Sequence, residues 1–250
     1  MTPGVRLGLG LIGIGRPWPT DRDTVCPEGQ AFGLLDAAVQ LGIRFFDTAA
    51  AYGTSEAVLG RFLATLPAQI RRETTVATKC GEIWPSTPGH VPDHSVDALS
   101  ASLERSFGLL EQIDLLQLHK CTVADLRDDK LLSWLTGLRS AGVVGAIGVS
   151  VSTVDAITEA LAVAELDAIQ FPGNVERREF VDMLRGRNSA ALPLVNRPMA
   201  SGALAGAAGN PFRFHHETLT RAVVLTGTRS PEHLAANARL FAEARRGGDR

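Results

Sequence analysis

The chain has 250 residues, 45% of them hydrophobic, and a formal net charge of −2. That composition can bury a sizeable core, and its near-neutral balance offers no basic field to attract nucleic acid or an anionic membrane. No apolar run approaches the roughly 20 residues of a membrane span.

The first apolar run, Leu7–Ile14, could pass for a signal-peptide core. It is interleaved with glycine, follows a single arginine, and leads into Arg16-Pro17-Trp18-Pro19 without a small-residue cleavage site. It reads as a buried strand. Gly8, Gly10 and Gly13 match the dinucleotide pattern GxGxxG, but Pro17 and Pro19 stand where its helix should run. The next strand-end acid, Asp47, also lies beyond the usual spacing of about 20 residues. Glycines allowing close strand packing are the simpler account.

Further apolar runs follow at Arg44–Thr48, Thr75–Lys79, Asp114–His119, Ala146–Ser150, Ala168–Phe171, Leu192–Arg197 and Val223–Thr226. Helical patterns separate them. Pro27-Glu28 opens a helix that stops at Gly42, Ser55-Glu56 opens one ending near Leu66, and His94–Asp97 leads into Leu99, Leu103, Phe107 and Leu110 at helical spacing. Asp125 to Gly142, Ser152 to Ala164 and Val175 to Arg187 continue the series. Ser230-Pro231-Glu232 combines an N-cap serine, a proline in the first helical position and an early acid.

Continuous apolar strands imply burial on both faces, as in parallel sheets covered by helices. Eight such strands alternating with helices predict a (β/α)8 TIM barrel, α/β in class, as a single domain over residues 1–250. A doubly wound open sheet is the rival. No linker or low-complexity stretch marks a second domain.

Asp47, Lys79 and His119 are each the polar residue ending a strand run, which suggests one site built from neighbouring strand ends. Lysine occurs only at positions 79, 120 and 130, and the single tyrosine, Tyr52, lies five residues past Asp47. Each also has a plain structural reading. Tyr52 could pack on the rim, Asp47 could cap a helix with Lys79 as its partner, and His119 could be a satisfied strand-end histidine. Trp84 could be a packing aromatic. Three cysteines, Cys26, Cys80 and Cys121, make no disulfide framework, and reduced thiols suit a cytoplasmic protein. No CxxC or paired-histidine spacing supports a metal.

The segments Phe46–Glu56, Thr78-Lys79 and Gln117–His119 resemble the signature blocks of the aldo-keto reductase family. Ala146–Ser150, Gln170 and Gly227–Glu232 resemble its later cofactor blocks, and the similarity runs in order over almost the whole chain. The resemblance implies a TIM barrel that reduces small-molecule carbonyl substrates with a nicotinamide, usually NADPH, with NAD as the alternative. It implies Tyr52 as general acid, supported by Asp47, Lys79 and His119. Hydride reaching a carbonyl leaves charge on oxygen, and a phenol with a pKa of about 10 is matched to a forming alkoxide. The Lys79 ammonium is expected to lower that pKa, Asp47 to hold the lysine charged, and His119 to fix the carbonyl by hydrogen bonding.

Phosphates favour helix N-termini, and the start at Ser230 follows the last strand directly. Thr228 and Arg229 would serve the phosphates, and by family position His233 and Asn237 the adenosine end. Ser150 and Gln170 would hold the nicotinamide carboxamide. Asn196 and Arg197 stand in the segment where the family stacks an aromatic on the ring, and Gly15 and Arg16 leave the first strand toward the same cavity. The chain departs from the family at Val151, Asn196, Gly227 and Ala236. These departures leave NADPH and NADH both open and motivate a second reading, a slow cofactor-binding regulatory barrel. A third is a lyase using Lys79 as a Schiff base. The short ends of the chain imply an open, shallow substrate site formed by Trp18, Trp84 and residues after His119.

Overall fold

Eight parallel strands close into a barrel in strict sequence order. They are β1 (Gly4–Gly10), β2 (Phe45–Asp47), β3 (Thr75–Cys80), β4 (Leu115–Leu118), β5 (Ala146–Ser150), β6 (Ala168–Pro172), β7 (Leu192–Asn196) and β8 (Arg221–Thr226). This is the expected (β/α)8 architecture. The computed structural model describes residues 4–17, 24–84, 92–184, 189–204, 206 and 209–247.

Helices line the outside: α1 (Ile12–Gly15), α2 (Glu28–Gln40), α3 (Ser55–Thr65), α4 (Ala68–Glu73), α5 (Val96–Leu110), α6 (Val123–Leu126), α7 (Asp129–Ser140), α8 (Val154–Ala160), α9 (Glu179–Asp182), α10 (Arg213–Thr218) and α11 (Pro231–Gly247). No helix among the described residues is long and apolar enough to cross a membrane.

Strand periodicity creates the site. Inside the barrel, Phe45, Ala77, Leu115, Ala168 and Leu194 form a buried apolar plug with Val223 and Leu225. Side chains two residues apart share a strand face. The next inward layer toward the strand C-termini is therefore Asp47, Lys79, Gln117, Gln170 and Asn196, all polar. An apolar floor thus lies beneath a polar layer at the C-terminal end of the strands, the face where barrels of this kind place functional residues. Gly8 belongs to the floor. A Cβ there would come within 2.7 Å of Val223 Cγ1 and 2.8 Å of Leu225 Cδ2, so the glycine answers a packing need.

Local structure departs from the sequence expectations at three places. The strand expected over Leu7–Ile14 begins earlier and ends at Gly10, and Ile12–Gly15 makes a helical turn. The helix expected from Asp125 to Gly142 divides in two. Thr122 and Asp125 form a capping box for α6, and the Asp128 carboxylate accepts from the amides of Lys130 and Leu131 to start α7. The helix expected over Val175–Arg187 shrinks because Asn174 Oδ1 accepts from the amides of both Glu176 and Arg177 at 3.0 Å, a local turn competing with helix.

Candidate active site

Strand pairing brings the expected residues together. Asp47 pairs with Ala77, and Lys79 with Gln117, so the inward faces of β2, β3 and β4 stand side by side. Lys79 Nζ donates to both Asp47 carboxylate oxygens at 2.7 Å and to the Thr48 carbonyl at 2.9 Å. These bonds anchor the ammonium, and the side chain is 1% exposed. Burial works against the charge, yet Asp47 and Tyr52 outweigh it and hold the ammonium above its ordinary value. Gln117 and Gln170 also donate to Asp47, at 3.1 and 3.2 Å. The carboxylate is thus the hub of the polar layer.

Tyr52 follows β2 on a turn fixed by close backbone contact. A Cβ on Gly15 would overlap the Tyr52 carbonyl, and Gly53 takes a positive φ of 61° directly after it. The half-buried Tyr52 ring has Lys79 Nζ 5.0 Å from its centroid. His119 stands edge-on to it, with ring centroids 5.8 Å apart and planes at 80°. Burial raises the phenol above its ordinary value, and the pull of Lys79 in the other direction is outweighed. The expectation that Lys79 lowers the phenol pKa is therefore corrected in its net direction. The ammonium acts on the phenol both as a nearby charge and through its side-chain hydrogen bond, yet burial prevails.

His119 is buried. Burial, aided by the positive charges of Lys79, Lys120 and Arg16, holds it well below the ordinary imidazole range, so the ring is neutral near pH 7. Its Nδ1 lies 3.0 Å from Glu82 Oε2, although the two are not aligned as a regular hydrogen bond. Glu82 Oε1 accepts from Lys120 at 2.6 Å. His94 Nε2 meets the His119 carbonyl at 2.9 Å, while His94 Nδ1 meets Asp125 at 2.9 Å.

Glu82, His94, Lys120 and Gln117 were not picked out as site residues from sequence. Gln117 had a usable signal, since it lies two residues after the inward-facing Leu115. Glu82 and His94 follow strand and loop geometry with no local pattern.

The remaining residues fall into two groups. At the mouth, Ser150 and Gln170 pair across β5 and β6. The buried amide oxygens of Gln170, Gln117 and Asn196 lack a hydrogen-bond partner among the described residues. Buried polar atoms of this kind call for a ligand or water. Val151 turns outward into the core, with its amide bonded to Gln170. Arg197 is exposed with φ at 54°, and its carbonyl accepts from Asn174. The Arg16 guanidinium lies 3.8 Å from the Trp84 ring centroid, joining the exits of β1 and β3. Trp84 is 38% exposed there. Trp18 lies outside the described residues.

In the second group, after β8, Ser230 caps α11 by accepting from the His233 amide at 3.1 Å. Thr228 Oγ1 accepts from the Ser230 amide, and the Asn237 amide donates to Thr226. Arg229 donates to the carbonyls of Gly13, Arg16 and Thr24. That guanidinium clasps the loop after β1, so a phosphate would have to compete for it.

The cysteines are buried. Burial pushes the Cys80 thiol up to about 12 and raises Cys121 as well, which makes both poor nucleophiles.

A phenol, a neutral imidazole and a buried ammonium–carboxylate couple thus stand together at the C-terminal mouth of a (β/α)8 barrel. The family model described as "Aldo/keto reductase family" matches residues 6–248. The chain belongs to the aldo/keto reductase family, whose oxidoreductases use NAD(P)H.

A D-threo-aldose 1-dehydrogenase from a Pseudomonas species is 35% identical over 67% of this chain and 56% of its own length. The match thus spans little more than half of that relative. An NADH-specific methylglyoxal reductase of Escherichia coli K12 is 30% identical over 90% of this chain and 69% of its own. Among solved structures, a candidate aldo-keto reductase from Pseudomonas aeruginosa superposes with a TM-score of 0.78 at 30% identity, covering 95% of this chain and 89% of that one.

Proposed function

We propose that this chain reduces an aldehyde or ketone to an alcohol, using hydride from NADPH and a proton from Tyr52. The observation carrying this reading is the buried Lys79–Asp47 couple with its ammonium 5.0 Å from the Tyr52 ring. The nicotinamide, when bound, supplies hydride to the carbonyl carbon. Tyr52, kept protonated by burial, donates its proton to the oxygen that gains charge. Lys79, held charged by Asp47, then stabilises the phenolate left behind. The unpartnered amide oxygens of Gln170 and Asn196 suit a carboxamide donor, and the capped start of α11 suits a phosphate. A Schiff base at Lys79 is disfavoured, because its nitrogen is protonated and fully hydrogen-bonded.

NADPH is the cofactor this reading carries, on the strength of Arg229 beside α11. Because that guanidinium already binds three carbonyls, its margin over NADH should be under about tenfold. Fluorescence titration with both dinucleotides, followed by an aldehyde panel, checks this. Saturable binding with NADPH oxidation is the expected result. Absence of both would reject the reading.

A further inference from the structure

His215, on α10, takes no part in the chemistry described so far, yet it is fully buried between the rings of Phe212 and Phe214. Its Nε2 meets the Gly173 carbonyl at 3.1 Å. A carbonyl only accepts, so Nε2 carries a proton. Burial holds the ring down to about 4, so near pH 7 it is neutral and Nδ1 is bare. That second nitrogen is buried without a partner among the described residues. A polar ring is costly in such a place, where leucine would fill the space. What the imidazole supplies is the bond to Gly173.

Gly173 follows β6 directly and carries that bond to the barrel mouth. Its amide donates to the Asn196 carbonyl at 3.0 Å, extending the β6–β7 pairing by one step. The corner is tight, since a Cβ on Gly173 would stand 3.0 Å from both Val181 Cγ2 and Val195 Cγ1. The next residue, Asn174, is 4% exposed and donates from Nδ2 to the Arg197 carbonyl at 3.0 Å. Its Oδ1 accepts from the Glu176 and Arg177 amides, which fixes the side chain. Two consecutive carbonyls at the exit of β7 are thereby held from β6. Arg197 needs that support, because its φ of 54° is left-handed and it is not glycine. The side chain that this corner aims is Asn196, whose Oδ1 is buried and unpartnered at the polar layer.

We infer that His215 and Asn174 are positioning residues, which hold the Gly173–Asn174 corner so that Asn196 Oδ1 accepts from the carboxamide of a bound nicotinamide. This rests on the reductase reading above. Neither side chain is assigned a contact with the dinucleotide. Each acts on backbone that Asn196 shares, His215 through the Gly173 peptide and Asn174 through the carbonyl of Arg197. When either strut is lost, Asn196 is free to turn from the polar layer, and the carboxamide N–H loses its acceptor.

Fluorescence titration of the full chain with NADPH tests this in four forms: wild type, His215→Leu, Asn196→Ala and the double variant. Each single change should weaken binding by about fivefold, the worth of one hydrogen bond. The double variant should bind no more weakly than Asn196→Ala alone, because His215 acts only through Asn196. Losses that multiply in the double variant would overturn the inference, since they would show His215 acting on the fold at large. Unchanged affinity in either single variant would overturn it too.

His215→Gln places an N–H donor near the position of Nε2 and should restore wild-type affinity. A loss there as large as in His215→Leu would contradict the role given to the Gly173 bond. Should His215→Leu not fold, Asn174→Ala removes the other strut while leaving the packing of α10 in place. Combined with Asn196→Ala, it is judged by the same two outcomes. A wild type that binds no dinucleotide would reject the reductase reading and the inference with it. Binding without coupling to Asn196 would reject the inference alone.

Discussion

Tyr52→Phe should reduce kcat/KM for aldehyde reduction by about 10²- to 10⁴-fold, the usual range for a positioned general acid. Affinity for the dinucleotide should change little. The substitution removes only the hydroxyl and keeps the ring that packs edge-on against His119, so the fold should be unaffected. The Lys79 bonds to Asp47 and Thr48 do not involve the phenol, so they remain when its hydroxyl is gone. Steady-state kinetics beside a cofactor titration separate the outcomes. Loss of binding together with turnover would show that Tyr52 shapes the cofactor site and is not the acid. Retained turnover would remove Tyr52 from the mechanism.

Asp47→Ala should be the most damaging single change to stability. Lys79 is 1% exposed, and Asp47 supplies two of its three hydrogen bonds. The Gln117 and Gln170 amides also lose their acceptor. Removing one partner of a buried ion pair typically costs about 3–5 kcal/mol, because an uncompensated charge remains. Asp47→Asn should cost less in packing but sets an NH2 among donors. The double variant Asp47→Ala with Lys79→Met should recover much of the stability in a denaturant melt, because it removes the buried charge as well as its partner. It should stay inactive. Failure of the double variant to recover would show that the couple is not the main stabilising feature of the polar layer.

The barrel was legible because eight apolar runs with helical spacers leave few alternative packings. The chemical layer was legible in part, since Asp47, Lys79 and His119 all end such runs and strand pairing sets those ends side by side. Other features depend on contacts distant in sequence. Glu82 reaches His119 only through the turn at Gly81, and Arg229 clasps carbonyls more than 200 residues away in the chain. Local hydrogen bonding by Asn174 and Asp128 overrode helical patterns that looked continuous. The sign of the Tyr52 shift was misjudged because sequence names the ammonium but cannot weigh it against burial.

The pH dependence of kcat/KM for aldehyde reduction tests most directly whether a protonated Tyr52 delivers the proton. Reduction needs the phenol neutral, and burial moves its ionisation above the ordinary value. The profile should therefore hold through neutral and mildly alkaline pH and fall only beyond about 10. With a single tyrosine in the chain, the phenol limb belongs to Tyr52 alone. A fall centred near neutrality, or the same limb persisting in Tyr52→Phe, would contradict this account.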